Sequence, residues 1–185
     1  AVELANTMVG IGKSLNKRTV AVVTDMNQPL GHEVGNANEV REAIQVLKGK
    51  GAEDETEVAL TIASYMGYLG GAFKDISEAK SKMKEYIQSG AAIDKLKKLI
   101  EIQGGDSNIV DHPELLPQAK NHVPVYAARA GYIQSMQTDQ IGIAAMLLGA
   151  GRKSKEDKID YAAGITIKKK RGDRVEKGDV LCILH

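Results

Sequence analysis

The sequence predicts an α/β fold that passes into a small β-rich module. Three observations carry this reading. Thr19–Thr24 is a β-branched run that is apolar on both faces, as a buried parallel strand is. Four amphipathic stripes at helical spacing follow it, and beyond residue 122 the pattern changes to short strands separated by Gly-Asp turns. The 185 residues carry 25 Lys+Arg against 24 Asp+Glu, 43% hydrophobic residues and a single cysteine. That balance offers no field for gripping a nucleic-acid backbone, and one cysteine rules out a disulfide framework within the chain. No apolar run reaches the length needed to span a bilayer, and the first residues lack the regions of a signal peptide, so a cytoplasmic location is expected.

The elements are read in chain order. Val2, Ala5, Met8, Val9 and Leu15 recur at helical spacing with no capping residue ahead of them, so the natural beginning is expected upstream. After the strand comes a polar loop, Asp25–Gly31, at the place where α/β proteins commonly bind ligands. Asn36 with Glu39, Asp54 with Glu57, and Asp75 with Glu78 each match a capping pattern ahead of an apolar stripe. The stripes are Val40, Ala43, Ile44 and Leu47; then Val58, Ile62, Tyr65 and Leu69; then Ala79, Met83 and Ile87. A fourth helix presents Ile93, Leu96, Leu99 and Ile100, and glycines close all four. Residues 106–121, with Pro113 and Pro117, form a loop that sets the expected division into 1–118 and 119–185. Strands are expected at 123–128, 131–137, 163–168 and 180–185, with a helix capped by Asp139 and stopped at Gly149–Gly151.

Few residues announce chemistry. His32, His112, His122 and His185 show no zinc-site spacing and read as surface or structural histidines. Cys182 sits in an apolar strand and reads as core. The basic run Lys168–Arg171 leads into a Gly-Asp turn and reads as a solvated turn rather than a phosphate grip. The segment from Thr24 to Ala43 stands apart, because polar and glycine residues crowd a strand-to-helix crossing. On its own it fits either an irregular turn or an oxygen-lined cation or ligand site, with the structural reading favoured.

That segment, TDMNQPLGHEVGNANEVREA, resembles the signature region of the thymidine and pyrimidine-nucleoside phosphorylases. The resemblance continues through SGAAIDKLKKLIEIQGGD, GYIQSMQTDQIGIAAMLLGAGR and the closing KIDYAAGITIKKKRGDRVEKGDVLCILH. It therefore runs over essentially the whole chain. It implies the C-terminal part of a large phosphorylase α/β domain followed by a small β-rich module of barrel-sandwich-like hairpins. The implied parent is a homodimeric pentosyltransferase that converts a pyrimidine nucleoside (uridine, thymidine or deoxyuridine) and phosphate to free base and (deoxy)ribose 1-phosphate. Neither nucleic acid nor a membrane is an implied partner.

The family's Lys-x-Ser-Thr-Gly-Gly phosphate segment, its catalytic histidine and its base-holding Arg, Ser and Lys have no counterpart in this sequence, so no catalytic or substrate-binding residue is assigned. The chain alone is expected to be inactive. The resemblance does carry over half of a potassium site: carbonyl oxygens at Leu30 and Glu33 and the carboxylate of Glu42, a donor set suited to a hard monovalent cation. Glu33 is an unusual residue at its position, but its main-chain oxygen is the implied ligand. Half a site is expected to hold potassium weakly. A related phosphoribosyltransferase is disfavoured by the C-terminal module. The hairpin GDRVEKGDVL resembles biotinyl and lipoyl carrier domains, yet the stretch around Ser135-Met136 lacks the modifiable lysine.

Overall fold

The computed structural model describes residues 1–185. Six α-helices and six short strands follow one another as α1 (Val2–Ser14), β1 (Glu33–Gly35), α2 (Ala37–Leu47), α3 (Glu53–Leu69), α4 (Ile76–Gln88), α5 (Ala91–Ile102), β2 (Val123–Tyr126), β3 (Gly131–Tyr132), α6 (Thr138–Ala145), β4 (Gly164–Ile167), β5 (Arg174–Val175) and β6 (Val180–Leu184). No helix is long and apolar enough to cross a membrane.

The four stripes fold into α2 to α5 as the periodicity requires, but their caps differ. At α4 the Asp75 side chain accepts from the Glu78 amide at 2.8 Å while Glu78 accepts from the Lys74 amide at 2.9 Å, so the expected pattern forms one residue out of register on its return arm. At α2, Glu39 accepts from the Gly35 amide, whereas the Asn36 amide group leaves the helix end and donates to the Ala150 carbonyl at 2.7 Å. α3 begins one residue before Asp54, and α6 begins one residue before Asp139. Both acids therefore lie in the first turn, where they favour the positive end of the helix dipole without capping it.

Thr19–Thr24 forms no strand. None of its backbone groups bonds to another backbone group, and Val20, Val22 and Val23 are exposed. β-branched residues favour extended backbone, but a strand exists only where a neighbour completes the ladder, and no strand of this chain pairs with it. α1 likewise buries none of its residues.

Every strand pair is antiparallel. Four strands lie in the order β1-β4-β6-β2, and β3 pairs with β5 in a separate two-stranded ribbon. β1 and β5 fall outside the expected strands, and the run expected at 131–137 forms a strand only at Gly131 and Tyr132, with Ile133 still exchanging backbone hydrogen bonds with Gly172 and Asp173. β1 reaches from the helical half into the terminal sheet through the register Glu33↔Thr166, Val34↔Ile165, Gly35↔Gly164. Beneath this sheet Ile165 and Ile167 pack with Ala145 of α6, flanked by Val34, Ile141 and Leu184. α6 continues as one π-helical turn to Ala150, and Gly149 at φ +115° turns the chain out of it.

Candidate functional site

The loop between Thr24 and α2 is built by side chains that bond to its own backbone. Asp25 accepts from the Asn27 amide at 2.9 Å, a local turn that needs no neighbouring strand. At the far end the two oxygens of Glu42, one turn into α2, accept from the amides of His32 (2.7 Å) and Glu33 (2.9 Å). The position just ahead of these two amides favours glycine. Gly31 has φ +67°, and a Cβ there would stand 2.6 Å from Glu42 Oε2.

A second set of contacts arrives from the terminal module. Lys170 Nζ donates to the carbonyls of Pro29 and Gly31 and stands 3.0 Å from Asp54 of α3. The Arg171 amide donates to Gln28 at 3.0 Å, and its guanidinium donates to Asp25 at 3.2 Å. The run Lys168–Arg171 is thus no freely solvated turn, because the Lys170 side chain is only 14% exposed. Distance in sequence hid this, since each partner lies more than 100 residues upstream. Burial raises the Asp54 carboxyl, but the hydrogen bond and charge of Lys170 outweigh it and hold the group below the ordinary carboxylate range.

Leu30, Glu33 and Glu42 line one cavity of about 970 Å³, with Glu39 and Glu55 on its wall. The Leu30 carbonyl accepts no hydrogen bond. Glu33 lies opposite Thr166, one step from the hydrogen-bonded pair made by Ile167 and His32, so its carbonyl also falls outside the ladder pattern. One oxygen of Glu55 is buried without a partner. Burial, then the charges of Glu42, Asp54 and Glu39, push the Glu55 carboxyl up to about 7.

The Glu33 side chain turns the other way. Its Oε2 accepts from Asn38 at 3.0 Å and from the Thr166 hydroxyl at 2.6 Å, and Thr166 is 2.8 Å from His185 Nε2. His32, His122 and His185 border a neighbouring cavity of about 740 Å³ together with Arg41 and Lys168. Spacing along the chain does not show that two of these histidines, His122 and His185, flank paired strands. His112 stays apart, bonded to Glu114 at 3.0 Å. Cys182 is half-buried in β6, and burial pushes its thiol up.

An α/β half whose helix-capped loop is clamped by a β-rich module defines the class. The family described as "Glycosyl transferase family, a/b domain" matches residues 1–93, and the chain belongs to that family. Residues 132–185 match the pyrimidine nucleoside phosphorylase C-terminal domain. The chain is 50% identical over all 185 residues to the pyrimidine-nucleoside phosphorylase of Bacillus subtilis (strain 168), and 47% identical over 182 residues to that of Staphylococcus aureus (strain USA300). It spans 43% and 42% of the length of these relatives.

Proposed function

We propose that this chain forms the C-terminal part of a pyrimidine-nucleoside phosphorylase, dividing near residue 118, that transfers a pentose from a pyrimidine base to phosphate. The observation that carries the reading is the identity with relatives of that name along the entire chain. The exposed valines at 20, 22 and 23 and the unburied α1 support packing against further residues of a longer α/β domain. In the reaction, phosphate attacks C1′ of the pentose as the base departs, and the protein's contribution is positioning and stabilisation of developing charge. The residues of this chain serve as scaffold for that site, in a cytoplasmic homodimer.

The same reading gives the Asp25–Glu33 loop a monovalent cation. The carbonyls of Leu30 and Glu33 and the carboxylate of Glu42 fit potassium in chemistry: two main-chain oxygens without ladder partners beside one acid, in a cavity whose wall is acidic. Glu42 already spends both oxygens on loop amides, so its first contribution is to hold the loop in the shape that presents those carbonyls. Bound there, the cation supplies positive charge that favours an anionic co-substrate nearby.

The test is phosphate-dependent release of uracil and thymine from their nucleosides, run on this chain and on a chain of the relatives' full length. Release by the longer protein alone supports the reading. Release by neither points to a relative with another substrate, and release by the short chain overturns the scaffold assignment.

A further inference from the structure

Lys170 reaches the Asp25–Gly31 loop from a base that is itself fixed. Its amide donates to the Asp173 carboxylate at 2.8 Å, and its carbonyl accepts from the Asp173 amide at 3.1 Å, which closes a tight turn. From that turn the mostly buried side chain runs to a point where its Nζ donates to the carbonyls of Pro29 and Gly31 beside the Asp54 carboxylate. Those two carbonyls flank Leu30. Pro29 and Gly31 are buried, whereas Leu30 is exposed and its own carbonyl accepts nothing. The loop also separates two cavities. Lys170 and Asp54 line one of about 820 Å³, while Leu30, Glu33 and Glu42 line the other, of about 970 Å³, which Lys170 does not border. The ammonium thus grips the loop from the side away from the cavity that Leu30 lines.

We propose that Lys170 is a positioning residue for the cation loop: by holding the carbonyls of Pro29 and Gly31 it leaves the Leu30 carbonyl free for a monovalent ion, so the β-rich module sets the loop's affinity for potassium. The inference rests on the reading of Leu30, Glu33 and Glu42 as cation ligands. Glu42 fixes the His32 and Glu33 amides and Lys170 fixes the carbonyls on either side of Leu30, so the loop is held at both ends. A loose loop loses conformational freedom when it closes on an ion, and here the fold has already ordered it. Charge alone argues the reverse. An ammonium near a cation site repels the ion, although Asp54 at 3.0 Å offsets much of that repulsion. Removal of Lys170 therefore separates the two effects by sign, because positioning makes potassium bind more weakly without it and repulsion makes it bind more tightly.

Lys170→Met in a chain of the relatives' full length tests this, with potassium affinity read from the rise in unfolding midpoint over that in lithium as each salt is titrated. The expected result is a loss of about tenfold in potassium affinity, the scale on which outer partners of metal ligands act. Lys169→Met, whose ammonium pairs with Asp179 at 3.5 Å, should leave the affinity unchanged. Circular dichroism of each variant separates lost binding from lost fold. A second readout needs no substitution. Coupling between two sites is reciprocal, so potassium in place of lithium should slow exchange of the Lys170 ammonium hydrogens, followed by nitrogen NMR. Equal or tighter potassium binding in folded Lys170→Met, or ammonium exchange indifferent to the ion, overturns the proposal and leaves the cation site standing. An unsubstituted chain that does not distinguish potassium from lithium overturns the cation reading itself, and the proposal with it.

Discussion

The Lys170 ammonium and the Asp54 carboxylate stand 3.0 Å apart, with the carbonyls of Pro29 and Gly31 completing an oxygen cage around the ammonium. One side chain from the β-rich module therefore fastens α3 and the Asp25–Gly31 loop together. Lys170→Met keeps most of the apolar stem and removes the charge, leaving two carbonyls and an acid without their donor. It should lower stability by about 2 kcal/mol, the scale of hydrogen bonds to a charged group. Urea unfolding followed by circular dichroism measures it, and an unchanged midpoint would show that the cage contributes nothing.

Glu55 predicts a pH dependence of the opposite sign to that of Asp54. Its folded-state value is raised from 4.5 to about 7, so folding favours the protonated form. The stability tied to that proton is complete below about pH 4.5 and is lost as the pH rises to about 7. Glu55→Gln should flatten this fall and gain on the order of 1 kcal/mol at pH 8, after a discount for solvent screening. Denaturation curves at pH 5 and pH 8 decide it, and equal gains at both would remove the titration from the account.

Gly31→Ala places a methyl group against Glu42 at a backbone angle that alanine resists. A loss of about 1–2 kcal/mol is expected. Hydrogen exchange localises the cause: the His32 and Glu33 amides should lose protection while those of α4 keep it.

Glu42→Gln probes the cation reading. In a chain of the relatives' full length, potassium should raise the unfolding midpoint more than lithium does, and the substitution should abolish that difference. A potassium response that survives the change places the ion elsewhere.

α1 buries no residue, so a shortened chain that begins at Lys17 should fold as the present one does. Its unfolding free energy is expected within about 0.5 kcal/mol of the parent's. A larger loss would mean that α1 packs on the body in solution.

The amino-acid sequence by itself determined α2 to α5, because stripes such as Val40, Ala43, Ile44 and Leu47 write helical spacing locally and glycines end each run. It also determined the family resemblance and the loop at 25–33, where glycine, proline and polar residues crowd one crossing. The tertiary structure alone decided whether Thr19–Thr24 becomes a strand, since extended propensity does nothing without a ladder partner. It alone brought β1 to β4, Lys170 to Pro29 and Gly31, and His122 to His185. Each of these is a contact between residues 63 to 141 positions apart or a pairing across 133, and helical or strand periodicity carries no information at that range. Local pattern specifies which elements form; side-chain chemistry shared between distant elements specifies where they meet.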